Sequence, residues 1–205
     1  NAFLKKKMNP RFSIIVPTLD NLDDLEKLLA SINSQTLLPK EVVIADSSST
    51  NDIENRVNSI SAPFHIKYLR VGRAYPFDRI LNYIFSLPIL GKYQNLYPKG
   101  RAFPYEATNA GADLATNEWL GFLDATTIPS KSWLEDYWDF IITYKCDVVL
   151  GNTKYFADTK FQKLLRASTY GSRGHETAPG SIIKKVNFLN GFKIMEGVRS
   201  DGDVE

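Results

Sequence analysis

Short apolar runs alternate with segments of helical spacing along most of this chain, and few architectures accept that rhythm. RFSIIVP (11–17) and EVVIAD (41–46) are rich in β-branched residues and too short for helices, so they read as buried strands. FHIKYLRV (64–71) alternates as a third strand, EWLGFLD (118–124) forms a fourth and CDVVLGNT (146–153) a fifth. Between them, NLDDLEKLLASINSQ places Leu22, Leu25, Leu28, Leu29 and Ile32 at helical spacing, with Asp23 and Asp24 in the dipole-favoured first turn. SSTNDIENRVNSI sets Ile53, Val57 and Ile60 on one face, with Ser49 and Asp52 spaced as a capping box. YEATNAGADLA (105–115) and KFQKLLRAS also read as helical. SKSWLEDYWDFIITY (130–144) is a helix with a second box at Ser132 and Glu135, and Trp133, Tyr137, Trp138 and Ile141 line one face. The remainder, with Pro179-Gly180-Ser181 and Gly191-Phe192, reads as loop-rich. Strands alternating with helices predict an α/β fold with a mainly parallel central sheet flanked by helices.

In such a sheet ligands bind beyond the carboxyl ends of the strands. Three strands end in polar residues, at Thr18, Asp46 and Asp124, which predicts one shared edge. A single acid there also fits a helix cap, as Asp46 before three serines would allow; two acids at two strand ends favour a site. The rhythm breaks over 72–104, which holds Pro76, Pro88, Pro98 and Pro104 and many aromatics. That segment reads as an insertion packed on itself, or as an aromatic lid or acceptor surface for sugar faces.

The 205 residues suit one domain, expected over 11–205 behind a basic tail at 1–10 that carries Lys5-Lys6-Lys7. A net charge of +2 offers no case for nucleic acid. The single Cys146 excludes an internal disulfide and fits a reducing, cytoplasmic compartment. No apolar run approaches the roughly 18 residues needed to span a bilayer. The chain begins at Asn1 and stops at Glu205 after a dense acidic segment, as expected of a piece of a longer protein with its C-terminus truncated.

The opening SIIVPTLDN…LLASINSQTLLPKEVVIADSSSTND resembles family-2 glycosyltransferases of the GT-A fold. ATNAGADLATNEWLGFLDATTIPSKSWL resembles the family's middle segment, and PGSIIKK…NGFKIMEGVRSDGDVE its acceptor-side end. The resemblance covers about 11–71 and 105–205 and keeps the family's order. It implies an inverting transfer of sugar from a nucleotide-diphospho-sugar, with a lean to UDP, onto a hydroxyl of a glycan or lipid-linked acceptor, in polysaccharide biosynthesis. It further implies donor contacts at Pro17, Thr18, Asp20, Asp46, Ser48, Asn109, Asp124 and Ala125, and an acceptor side at Gly180, Ser181 and Asp201. Asp203 matches the family's general base. Peripheral membrane association is expected through regions outside this chain.

Two positions depart from the family pattern. Asp124 matches the first acid of the Asp-x-Asp motif, but the second place holds Thr126, a neutral and weaker ligand. Thr108 stands before Asn109-Ala110-Gly111 where the family often has Arg; Arg73, Lys99 or Arg101 would have to replace that cation. A divalent metal, Mn2+ or Mg2+, is therefore placed in doubt, with Asp124 and His175 as its candidate ligands. Two other readings stay open: a non-catalytic nucleotide-sugar or glycan-binding homologue, and a sugar nucleotidyltransferase. The latter predicts a Gly-rich loop and a basic residue after the first strand, and PTLDNLDD has neither.

Overall fold

The computed structural model describes residues 10–72, 102–154, 157, 159–169, 175–191 and 193–194. Along the chain run β1 (Phe12–Thr18), α1 (Leu22–Asn33), β2 (Glu41–Asp46), α2 (Asp52–Ser59), β3 (His65–Arg70) and α3 (Pro104–Leu114). They are followed by β4 (Trp119–Phe122), α4 (Trp133–Tyr144), β5 (Val148–Thr153), α5 (Lys160–Thr169), β6 (His175–Lys184) and α6 (Lys185–Gly191). The six strands form one sheet in the order β3-β2-β1-β4-β6-β5. β3, β2, β1 and β4 are mutually parallel, whereas β6 runs antiparallel to both β4 and β5.

Alternation within the strands builds two cores. Phe12, Ile14, Val16, Val42 and Ile44 face α1, α2 and α4, and Trp119 and Phe12 both meet Trp138 edge-on. Ile15, Val43, Leu120 and Phe122 face the other way, against Ala112 of α3 and Phe188 of α6. Gly111 lets α3 lie close on the sheet, because a Cβ there would stand 2.8 Å from Ile15 Cγ2.

Three local expectations resolve differently. Ser49 does not cap α2; its backbone N–H and hydroxyl both donate to the Asp20 carboxylate, which lies across the sheet edge. Ser132 precedes α4, but its hydroxyl donates to Asp136 Oδ2 at 2.6 Å instead of accepting from the backbone. The region read as loop-rich contains β6 and α6. Pro179-Gly180 disguises β6 as a break, yet the pair sits at a register shift opposite β5, where a strand tolerates such residues. Residues 73–101, with Arg73, Lys99, Arg101 and the aromatic insertion, lie outside the described residues.

Candidate functional site

Parallel strands put their carboxyl ends on one edge, and the register there is exact enough to form a single rung. Thr18 pairs with Asp46, and Asp46 pairs with Arg70. Asp46 is 0% exposed. A carboxylate buried to that degree needs several donors to offset its lost hydration. Its Oδ1 accepts from the Thr18 hydroxyl at 3.1 Å, the Ser48 backbone N–H at 2.9 Å and the Ser48 hydroxyl at 2.5 Å. Its Oδ2 accepts from the Tyr68 hydroxyl at 2.8 Å and lies 3.4 Å from Arg70 Nη1. Burial, and then the hydrogen bond to and charge of Asp46, push the Tyr68 phenol upward.

Arg70 extends this hub into the loop after β2. It donates to the Ser48 carbonyl at 2.6 Å, the Thr50 carbonyl at 2.9 Å and Asn51 Oδ1 at 2.9 Å. Asp20, in the left-handed region at φ 51, ties in the loop after β1. Its N–H donates to Ser48 Oγ at 2.8 Å, and its carboxylate accepts from Ser49. Thr18, Asp20, Asp46 and Ser48 are thus brought together. Ser48 has its hydroxyl engaged by both Asp46 and Asp20, whereas the Ser47 hydroxyl, in a residue only 4% exposed, has no hydrogen-bond partner. A buried orphan hydroxyl of this kind is costly.

Beside the rung opens a cleft of about 230 Å³ lined by Pro17, Pro104, Thr108, Phe122, Asp124 and Pro179, among others. Asp124 is exposed at the start of a turn closed by the Thr127 N–H on the Asp124 carbonyl, with Ala125 buried and Thr126 exposed. The Thr108 hydroxyl donates to the Pro104 carbonyl within α3. Asn109 is buried and uses both ends of its carboxamide on the Ile194 backbone, at 2.8 and 3.1 Å. Ser181 Oγ accepts the Gly151 N–H at 2.7 Å, and the Gly180 carbonyl accepts Trp133 Nε1–H at 2.8 Å. Asn109, Gly180 and Ser181 therefore brace the cleft wall through backbone contacts. A larger hollow of about 440 Å³, around Arg11, Asn117, Trp119 and Trp138, opens at the opposite sheet edge, away from these carboxylates.

His175 opens β6 opposite Thr153. Asp201 and Asp203 lie outside the described residues. Among the described residues no three acids, histidines or cysteines converge on a metal position. The Asp124 turn offers one carboxylate and neutral threonines, which does not make a hard-cation site by itself. Sequence reasoning missed Arg70, Tyr68 and Ser47. Arg70 lacked the signal of Thr18 and Asp46, because its strand alternates polar and apolar residues and reads through to Val71.

Residues 13–84 and 97–194 match the profile described as glycosyl transferase family 2. The PGL/p-HBAD biosynthesis glycosyltransferases of Mycobacterium bovis (strain BCG / Pasteur 1173P2) and Mycobacterium tuberculosis (strain ATCC 25177 / H37Ra) are each 33% identical over 116 residues. That stretch is 57% of this chain and 35% of each relative, so the chain spans only about a third of their length. S. aureus TarS 1-349 in complex with UDP-GlcNAc superposes with a TM-score of 0.60 at 19% identity, covering 94% of this chain and 51% of that one. Mannosyltransferase PcManGT from Pyrobaculum calidifontis, in complex with GDP-Man and Mn2+, gives 0.56 at 18% identity, covering 95% and 50%. These likenesses establish the GT-A architecture that the resemblance to family-2 glycosyltransferases implied. With the profile spanning most of its residues, the chain belongs to glycosyl transferase family 2.

Proposed function

We propose that this chain carries the donor site of an inverting glycosyltransferase that moves a sugar from a UDP-sugar to a hydroxyl acceptor. The observation that carries this reading is the Thr18–Asp46–Arg70 rung at the carboxyl edge of the sheet, beside the cleft that holds Asp124. Thr18 and Asp46 with its serine loop form the nucleobase end, and Asp124 faces the ribose and diphosphate. Pro17 and Ala125 shape the floor, while Asn109, Gly180 and Ser181 hold the walls in place. Asp203 acts as general base: it takes the acceptor proton as the hydroxyl oxygen bonds to the anomeric carbon and the bond to the diphosphate breaks. Charge on the leaving diphosphate calls for a cation, and the structurally similar mannosyltransferase PcManGT is in complex with GDP-Man and Mn2+. A bound divalent ion would neutralise that charge; Asp124 is the described residue able to touch it.

A second reading, a binding homologue without turnover, draws on Thr126 in place of an acid. Two experiments separate the possibilities. UDP-GlcNAc at 100 times its Kd should stabilise the chain by about 2.7 kcal/mol, GDP-Man should do less, and EDTA should barely change the UDP-GlcNAc effect. No shift with any nucleotide-sugar sinks the donor assignment, and a large EDTA loss shows that other residues complete a metal site. Asp203→Asn should slow transfer at least about 100-fold with UDP binding unchanged. Undiminished turnover in that variant removes Asp203 from the mechanism, and no transfer by the unaltered chain despite donor binding favours the binding homologue.

A further inference from the structure

None of the described side chains of α5 belongs to either core. Phe161 is 72% exposed and Leu164 69% exposed, and all of residues 159–164 are exposed. Exposed side chains such as these supply no burial to hold a helix in place. This helix is closed at its start by a reciprocal cap: the Gln162 N–H donates to Thr159 Oγ1 at 3.1 Å, and the Thr159 N–H donates to Gln162 Oε1 at 3.0 Å. Its first turn is therefore specified locally. Phe161 and Leu164, three residues apart, share one stripe, and Lys163 stands well round the helix from Phe161. Residues 160–169 carry Lys160, Lys163 and Arg166 and no acid. No ion pair holds Lys160 or Lys163 among the described residues.

An exposed aromatic-aliphatic stripe beside unpaired cations matches the headgroup boundary of an anionic bilayer, where rings and alkyl chains enter the acyl edge and ammonium groups meet phosphates. At ten residues α5 is about half the length of a membrane span, so its contact with a bilayer would be one of lying on the surface. We propose that α5 is an interfacial helix that docks this protein on an anionic lipid surface. Charge complementarity selects that occupant: a second copy of this helix would bring three more cations against three, and a neutral protein groove would leave them unused.

The test is flotation of the purified chain with extruded vesicles of phosphatidylcholine alone or with 30% phosphatidylglycerol. Binding is expected to the anionic vesicles only and to weaken with salt. Lys160→Glu/Lys163→Glu should lower partitioning more than tenfold, at about 1 kcal/mol per cation lost and more on reversal. Phe161→Ser/Leu164→Ser should lower it comparably with all charges kept, including the lysine run at 5–7. Leu164→Trp should shift its fluorescence to the blue on anionic vesicles. All these positions are exposed, so thermal midpoints should stay unchanged. The proposal is overturned if the unaltered chain does not float, or if the serine variant floats as well as it does. It is equally overturned if the stripe proves to hold a dimer, seen by sedimentation velocity, that the serine variant dissolves in the absence of lipid.

Discussion

Replacing Glu41 with Ala should destabilise the fold by about 3–5 kcal/mol, the range for removing one partner from a buried ion pair. Glu41 opens β2 at the amino edge of the sheet and is 3% exposed. Its Oε1 accepts from the Ser13 hydroxyl and the Thr116 N–H, each at 2.5 Å, and its Oε2 from the Thr116 hydroxyl at 2.9 Å and Lys67 Nζ at 2.8 Å. One carboxylate thereby binds β1, β2, β3 and the turn into β4. Without it, Lys67 and a backbone N–H lose their buried acceptor. Burial alone would raise the Glu41 carboxyl; Lys67, Ser13 and Thr116 outweigh it and hold the group at about 2, against 4.5 for a free glutamate.

Because the folded value lies below the unfolded one, the stabilisation is complete above about pH 4.5 and disappears as pH falls through about 2. The shift corresponds to a contribution on the order of 3 kcal/mol at pH 7, and less than half of it should survive at pH 3. Urea unfolding of the unaltered chain and Glu41→Ala at pH 7 and pH 3 measures both quantities. A difference under about 1 kcal/mol at pH 7, or one that does not shrink in acid, contradicts the network as described.

Gly151→Ala should cost about 3 kcal/mol, the upper range for overpacking, and lower the thermal midpoint by roughly 6–12 °C for a chain of this size. An added Cβ would lie 2.2 Å from the Pro179 carbonyl oxygen and 2.8 Å from the Gly180 carbonyl carbon. Both are backbone atoms, so no side chain can turn away to make room. Nor can β6 easily retreat. Gly180 already occupies the left-handed region at φ +91, Ser181 Oγ holds the Gly151 N–H, and Trp133 Nε1 and Thr153 Oγ1 grip the carbonyls of Gly180 and Pro179. Alanine at Gly191, where a Cβ would meet nothing within 4 Å, is the control and should leave the midpoint nearly unchanged. Equal effects at both positions would mean that the β5–β6 contact is looser than these distances require.

Periodicity made much of this fold readable from the residues alone. Apolar runs and helical spacing mark the first five strands and five of the six described helices, and crossover connections return successive strands in one direction. Thr18 and Asp46 had to share an edge for that reason, and the α/β architecture follows before any contact is known. β6 escaped because Pro179-Gly180 looks like a break until β5 supplies the bulge that accommodates it. Periodicity says which face a residue points to, but not which residue stands beside it. Arg70 reaches Asp46 only because β3 is next to β2, and Glu41 gathers partners from positions 13, 67 and 116 only because four segments meet at one end of the sheet. Ser48 and Ser47 are adjacent and identical in sequence, yet one hydroxyl is engaged and the other is not. A hydrogen bond depends on separations of a few tenths of an ångström between groups far apart along the chain, and those separations exist only once the strands have been put in order.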